Sequence, residues 1–163
     1  AFRQAQAAAL SLPHTGMIVT TDMVDNLSDI HPTYKWEIGR RLALLALVHD
    51  YQKTLVCSGP VAKKAELEND KVVISFDSVG SGLQAVDSTT LSGFELAGKD
   101  GVYMAAMAKI SGNKVWVHAS ALPSPKWVRF AWNESAQPNF FNKNGLPAVP
   151  FEMPVHSELT AKK

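Results

Sequence analysis

Met17-Ile18-Val19-Thr20-Thr21 is the stretch that decides the fold expected for the first third of this chain. It is short, apolar and rich in β-branched residues, which is typical of a buried parallel strand. Residues 2–10 before it are rich in good helix formers, and from Pro32 onward the apolar residues recur with a helical period. The order helix, strand, helix predicts that residues 1–55 are the last units of an α/β domain.

The helix that begins near Pro32 is predicted to be amphipathic and about five turns long. Ser28 or Asp29 precedes it and is a plausible N-cap. Its basic residues mostly lie away from the predicted apolar face. That face carries Tyr34, Ile38, Leu42, Leu45 and His49.

After Tyr51 the pattern changes to that of antiparallel β-structure, with short alternating runs separated by Gly, Pro, Asn and Asp. A break at Ser58-Gly59-Pro60 places the boundary near residues 52–60, so we expect a β-sandwich-like region over 56–163. Turns are predicted at 68–70, 98–101, 111–113 and 142–145. The inward-facing sets are predicted as Val72, Ile74 and Phe76, then Val115, Val117 and Ala119, then Val128, Phe130 and Trp132.

The composition argues against several classes of protein. The chain has 163 residues, 46% of them apolar, which is enough to bury a core. Its formal charge is +1 and its basic residues are interspersed with acidic ones, so nucleic acid is not an expected partner. The longest apolar run, residues 42–48, is far short of the roughly 20 residues that cross a bilayer, so no membrane contact is expected. The single cysteine, Cys57, excludes an internal disulfide.

Asp29-Ile30-His31-Pro32 is the strongest candidate for chemistry, because it lies between the predicted strand and the predicted helix. A histidine in a loop pinned by proline has the intrinsic pKa range and the fixed position that a general base needs. It can equally be a hydrogen-bonded structural residue. Asp29 can orient the imidazole, as the acid of a triad does, or cap the helix. Asp22 and Asp25 are weaker candidates for the acid.

A nucleophile is not visible in the sequence. There is no Gly-x-Ser-x-Gly, Ser58 has no helix after it, and Gly80-Ser81-Gly82 is better explained by a bulge or turn. Cys57 lies in an apolar run and is predicted to be a small core residue. His14, His49, His118 and His156 have no partner at metal-ligand spacing, and there is no phosphate-binding glycine loop, so no metal or cofactor is expected.

The tryptophans Trp116, Trp127 and Trp132 of the β-rich region can stack on sugar rings if they are exposed. In alternating strands, large aromatic residues are more often part of the core. The sequence therefore favours core positions for all three.

Taken together, motifs along almost the whole chain resemble the C-terminal part of the sialate O-acetylesterase family, carbohydrate esterases with an SGNH-type hydrolase domain. Their order and spacing are more specific than any single motif. The matching stretches are Phe2-Arg3-x-Ala5-Gln6, Pro13-His14-Thr15-Gly16-Met17, Asp22, Asp29-Ile30-His31-Pro32 with Lys35, Gly39-Arg40-Arg41-Leu42-Ala43, Ser58-Gly59-Pro60, Phe76-Asp77, Gly80-Ser81-Gly82-Leu83, Gly93-Phe94-Glu95, Val128-Arg129-Phe130-Ala131-Trp132, Asn142 and Gly145-Leu146-Pro147-Ala148-x-Pro150-Phe151.

The resemblance implies that residues 1–55 are the truncated end of an SGNH-type α/β domain and that His31 is the catalytic histidine. The serine that it activates, and the oxyanion hole, would lie upstream of this chain. The general SGNH pattern has an aspartate three residues before the histidine, whereas position 28 here is serine and the nearest carboxylate is Asp29. The triad acid is therefore Asp29, a residue of the missing portion, or absent from a Ser-His dyad.

The function expected from the resemblance is removal of acetyl esters from sialic acid or a related sugar. The expected partners are the O-acetylated substrate and the missing N-terminal portion of the same protein, or a companion chain. This chain by itself is expected to be inactive, and a periplasmic or secreted location is favoured over the cytoplasm. The alternative is a non-catalytic carbohydrate-binding or interaction module built on the β-rich region.

Overall fold

The computed structural model describes residues 2–24, 26–29, 31 and 33–157. Helix α1 (Phe2–Ala7) continues into a 3-10 turn (Ala8–Ser11), and α2 (Lys35–His49) follows after an irregular segment. No described helix is long and apolar enough to cross a membrane. The strands are β1 (Val61–Glu68), β2 (Lys71–Asp77), β3 (Leu83–Ala85), β4 (Phe94–Ala97), β5 (Tyr103–Ala105), β6 (Met107–Ser111), β7 (Lys114–His118), β8 (Trp127–Phe130), β9 (Phe140–Asn142), β10 (Phe151–Pro154) and β11 (His156–Ser157).

These strands form three sheets. The five-stranded sheet has the order β11-β1-β2-β7-β6, and only its β1 and β11 pair is parallel. The four-stranded sheet has the order β10-β8-β4-β5 and is antiparallel, as is the separate ribbon of β3 and β9. The predicted antiparallel character is thus confirmed, with one parallel edge strand added.

The two larger sheets share one hydrophobic core, to which alternate residues of each strand contribute. Phe76 of the five-stranded sheet packs edge-on against Phe140 of the ribbon and Phe151 of the four-stranded sheet, at 5.2 and 6.2 Å between ring centroids. Phe94 and Phe130 complete the aromatic cluster at 4.7 Å. This core lies entirely within the β-rich part.

Asn142 is a fully buried polar residue that joins three loops of this part. Its Nδ2 donates to the carbonyls of Ser58 and Ser78 at 3.0 and 3.3 Å. Its Oδ1 accepts the N–H groups of Asn144 and Leu146 at 3.1 and 3.0 Å. Because every donor and acceptor of the amide is satisfied, burial of this group costs little.

The predicted turns are confirmed, and so are two of the three inward-facing sets. Asn69 and Gly112 adopt φ of 57° and 60° in the two tight hairpins of the five-stranded sheet. The third predicted set, Val128, Phe130 and Trp132, is wrong at Trp132. The chain leaves β8 at Ala131, which has a φ of 50°, and Trp132 is only half-buried.

The N-terminal third lacks a core of its own. Met23 is the one buried apolar side chain among the described residues before residue 60. The predicted strand over residues 17–21 is not formed, because residues 17–20 have no regular secondary structure and Thr21 begins a turn. No described strand pairs with this segment, and a ladder needs a partner. The division at residues 55 and 56 stays a prediction.

Helix α2 differs from its prediction in length, cap and packing. It has 15 residues, about four turns, and begins at Lys35 with Tyr34 at the N-cap and no side-chain cap. The proposed caps Ser28 and Asp29 are therefore wrong. The predicted apolar face is also largely exposed, with Tyr34 at 52% and Leu42 at 49%.

Candidate functional site

The loop before α2 places Asp29 in contact with His31. Oδ1 of Asp29 accepts a 2.8 Å hydrogen bond from the backbone N–H of His31 and lies 3.2 Å from its Nδ1. Upstream, the N–H of Ser28 donates to Oδ1 of Asn26, and the N–H of Asp29 donates to the Asn26 carbonyl, both at 3.0 Å. Such local bonds are what Asn and Asp make in turns. The carboxylate two residues before the histidine thus lies beside the imidazole.

The contact orients the ring more than it stabilises the fold, because both side chains are exposed, His31 at 76% and Asp29 at 53%. In the tautomer with its proton on Nδ1, the imidazole donates to Asp29 and leaves Nε2 as an acceptor. Among the described residues Nε2 has no hydrogen-bond partner. A general base and its orienting acid need this arrangement. The same contact also arises in a simple Asx turn, in which the carboxylate accepts the backbone N–H two residues later. The catalytic roles of Asp29 and His31 therefore stay predictions.

A buried arginine anchors the segment that leads to this loop. Arg41 is 4% exposed and donates to both carboxylate oxygens of Asp22, at 2.8 and 2.6 Å. Its Nη1 also donates to the Val19 carbonyl at 2.7 Å. Two-pronged pairing of this kind fixes geometry as well as charge. Asp22, the weaker candidate for the acid, is thus engaged by Arg41.

Glu37 completes this network from within α2. It accepts from Nε of Arg41 at 2.8 Å and from Nε and Nη2 of Arg40 at 2.6 and 2.7 Å. The hydrogen bonds from Arg40 are the main cause that lowers the pKa of Glu37 from 4.5 to about 2. Burial acts in the opposite direction, and Arg41 lowers the pKa further. The carboxylate therefore stays charged through most of the acidic range.

Sequence reasoning missed this network, although part of the signal was present. Glu37 and Arg41 are four residues apart on a predicted helix, which favours an ion pair. Nothing local points to Asp22 as the third member, because it lies 19 residues from Arg41. The candidate acid Asp25 lies outside the described residues.

None of the hydrogen bonds between described residues joins a serine to His31. Ser58 Oγ donates to the carbonyl of Gly59 at 3.0 Å. Gly80-Ser81-Gly82 forms a turn, as predicted, with φ of 56° and 121° at the two glycines. The N–H of Ser81 is held there by Oδ1 of Asn144 at 2.8 Å.

The remaining candidate side chains of the sequence have ordinary surroundings. Cys57 is half-buried and is not among the core residues, so its prediction as a core residue is wrong. His118 bonds through Nδ1 to the carbonyl of Asp70 at 2.9 Å. Within the described ranges, no group of three or more His, Cys, Asp or Glu residues is placed to hold a metal ion.

The prediction that the three tryptophans of the β-rich part are core residues is wrong. Trp116 and Trp132 are half-buried, and Trp127 is 41% exposed. On β7 and β8 the alternation directs valine and phenylalanine inward, which leaves Trp116 and Trp127 on the outer faces.

A cavity of about 760 Å³ lies between α1 and the loop after β8, and no described residue of the His31 loop lines it. Phe2 and Arg3 of α1 line one side, and Trp132, Glu134 and Phe151 line the other. Arg3 closes one end by donating to two backbone carbonyls of the loop after β8, at 2.8 and 3.1 Å. Because no residue of the His31 loop lines it, this cavity gives no support to the predicted catalytic residues.

Comparison with solved structures identifies a similar protein, a carbohydrate acetylesterase from Xanthomonas citri. The two are 40% identical in sequence with a TM-score of 0.86, and the match covers 92% of this chain. This chain spans 35% of the length of that protein. Comparisons with protein-family models and with curated proteins find no match.

Proposed function

We propose that this chain is the C-terminal part of a carbohydrate O-acetylesterase, with His31 as general base and Asp29 as the residue that orients it. The observation that carries this proposal is the 40% identity to a carbohydrate acetylesterase over 92% of the chain. The contact between Asp29 and His31 supports the assignment, because it leaves Nε2 of the imidazole available to accept a proton.

The proposed reaction follows a serine acyl-enzyme route. Nε2 of His31 removes the proton of a serine supplied from outside this chain, and the serine oxygen attacks the acetyl carbonyl. The protonated imidazole then gives its proton to the departing sugar oxygen, which leaves an acetyl-serine. Water, activated by the same histidine, releases acetate and restores the serine. The route needs no metal or organic cofactor.

The serine is proposed to come with a larger SGNH-type α/β portion, either upstream in the same protein or in a companion chain. The surface of residues 2–55 supports this. Among the described residues, they contribute nine of the fourteen large apolar side chains that are exposed, including Phe2 at 77% and Trp36 at 66%. Residues 17–20 lack a described strand partner, and the buried Oγ1 of Thr21 has no hydrogen-bond partner among the described residues. A neighbouring parallel strand would pair this backbone and cover the apolar surface.

The proposed substrate class is an O-acetylated sugar, with sialic acid as the specific candidate from the motif resemblance. The motifs that carry this resemblance do not fix which hydroxyl bears the acetyl group. Acetate release from 9-O-acetylated sialic acid and from an acetylated neutral sugar, measured side by side, separates the two substrate classes.

The second candidate is a non-catalytic carbohydrate-binding module. It is favoured by Trp116 and Trp127, which lie on the outer faces of two sheets, since aromatic side chains on a sheet face are suited to stacking on sugar rings. In that case, the N-terminal third has no part in chemistry.

His31→Ala in the full-length protein distinguishes these two candidates. As an esterase base, His31 is required, so its loss should lower kcat by about 10³-fold or more with unchanged melting temperature. His156→Ala, an exposed histidine on β11, is the matched control and should keep full activity. Normal acetate release by a folded His31→Ala protein would reject the proposed base.

A further inference from the structure

The outer face of the five-stranded sheet carries an aromatic side chain ringed by lysines. Trp116 lies near the middle of this face, directly opposite Val73 on β2 and Lys109 on β6. Its neighbours in sequence, Val115 and Val117, are fully buried on the inner face. The indole is thus displayed by the strand alternation on the side away from the core.

Three exposed lysines surround this indole. Nζ of Lys71 lies 4.9 Å from the ring centroid and Nζ of Lys109 lies 5.9 Å away, both within cation–π range. Lys114 lines the same depression of about 300 Å³ as Trp116 and Lys71. We call Lys71, Lys109, Lys114 and Trp116 the Trp116 patch.

The lysines of the Trp116 patch have no carboxylate partner within 4.0 Å in the part of the chain that the structure describes. Glu66 pairs with Lys64 at 2.7 Å, whereas two other carboxylates, Glu68 and Asp70, line the same depression as Lys71 and Lys114. The three lysines outnumber these two carboxylates, so the patch keeps an excess of positive charge, although the whole chain carries only +1.

We propose that the Trp116 patch binds an acidic saccharide, a pyranose that carries a carboxylate. The ring would stack on Trp116, with the carboxylate against the ammonium groups. Lysine only donates hydrogen bonds and presents a compact positive charge, so it meets an anion better than the mixed donors and acceptors of a neutral sugar. The long lysine stems are exposed and can move aside from the ring face.

This patch is separate from the surface that the proposed esterase uses. The long-range hydrogen bonds between residues 2–55 and the β-rich part go to Ala131, Asn133 and Gln137, in the segment between β8 and β9. None of them reaches the outer face of the five-stranded sheet. The inference therefore stands or fails independently of the esterase proposal.

Calorimetric titration of the 163-residue chain with tetragalacturonate tests the proposal, with the fully methyl-esterified tetramer as the uncharged control. We expect saturable binding of the acid, with affinity that falls as NaCl rises from 50 to 300 mM. Trp116→Ala should weaken binding of the acid by about tenfold or more. The double variant Lys71→Gln with Lys109→Gln should weaken the acid similarly and leave the ester unchanged.

Trp36→Ala is the matched control, because Trp36 is exposed on α2, outside the five-stranded sheet, and should not affect binding. Circular dichroism melts verify that each variant is folded. Three results would overturn the proposal: no binding of the acid at millimolar concentration, equal affinity for acid and ester, or an equal loss in Trp36→Ala. Tighter binding of a short single-stranded DNA than of the uronate would also overturn it, since the patch would then recognise phosphate.

Discussion

Asp29 can either hold a turn of the backbone or orient and stabilise the His31 imidazole, and a single atom, Oδ1, makes the contacts of both roles. Its Oδ1 both accepts the backbone N–H of His31 and approaches the imidazole, so the same oxygen serves a turn and a ring contact. The capping role is excluded, because α2 begins at Lys35 with no side-chain cap. What distinguishes the two remaining roles is charge, since a turn needs only an acceptor whereas a developing imidazolium needs an anion.

We therefore predict that Asp29→Asn in the full-length enzyme lowers kcat by about 10²- to 10⁴-fold with unchanged melting temperature. The asparagine oxygen keeps the turn, but the imidazolium loses its stabilising charge. Steady-state acetate release measures kcat. Asp77→Asn, at an exposed aspartate paired only with Lys63, is the control. Full activity of Asp29→Asn would mean that the acid lies elsewhere or that a Ser-His dyad suffices.

At the scale of elements, one close contact lies within the N-terminal third and another lies at the boundary before β1. Arg41 ties α2 to the extended segment through Asp22 and Val19. The Ser58-Gly59-Pro60 stretch packs against the turn after β9 so closely that Gly59 has no room for a side chain. A Cβ there would lie 1.9 Å from the carbonyl oxygen of Pro147.

Gly59→Ala and Gly39→Ala should therefore change stability in opposite directions. The first forces backbone apart and should destabilise by about 2 kcal/mol or more. Gly39 lies inside α2, and no described atom beyond its chain neighbours and the nearby helix backbone lies within 4 Å of the point that an alanine methyl would occupy. Alanine there should therefore stabilise the helix by up to about 1 kcal/mol. Urea denaturation followed by circular dichroism measures both. Equal effects of the two substitutions would contradict the contact at Pro147.

The Glu37 network predicts a loss of stability in acid. Since its pKa is about 2 in the folded chain and 4.5 when unperturbed, its contribution is complete above pH 4.5 and disappears as the pH falls towards 2. Glu37→Gln removes this contribution, which is about 3 kcal/mol for a pKa lowered from 4.5 to about 2, so the difference in stability between variant and parent should close over that range. Urea midpoints from pH 2 to pH 7 measure the gap. Glu134→Gln, at an exposed glutamate, should leave the profile unchanged, and a constant gap for Glu37→Gln would contradict the network.

At the scale of the whole molecule, the β-rich part has a shared core whereas residues 2–55 have almost none. Burial of apolar surface is the main driving force of folding, so the exposed apolar side chains of that third are suited to an interface. The similar acetylesterase has a chain of which this one spans 35%. Both observations support a catalytic unit larger than these 163 residues.

We predict that the isolated chain hydrolyses aryl acetates no faster than free imidazole, because the nucleophile and the oxyanion hole that would act with the proposed base His31 are proposed to come from outside this chain. Adding the proposed N-terminal portion should restore turnover and shift the emission of Trp36, which is 66% exposed, to shorter wavelength. Stopped-flow measurement of acetyl-enzyme formation checks the first part. A burst on the isolated chain that is abolished by changing one of its own serines would contradict the prediction.

Local patterns in the sequence determined most of the inward-facing positions and the hairpin turns of the β-rich part. Alternation placed Val72, Ile74 and Phe76 inward, and residues that tolerate positive φ marked the hairpins. Helix α2 was also predictable, because its hydrogen bonds join residues four apart and need no distant partner. The loop position of His31 was predictable from its place before α2, whereas the spacing left open whether Asp29 orients the imidazole or caps the helix.

Only the tertiary structure decided the features that depend on distant partners. The strand-like residues 17–21 stay unpaired, since a ladder requires a second strand that local sequence cannot supply. Arg41 is the buried residue of α2, because Asp22 and Val19 contact the side of the helix that carries it. Tyr34 and Leu42 stay exposed. Which face of a helix or strand is buried is set by what packs against it, and that is a property of the assembled chain rather than of its periodicity.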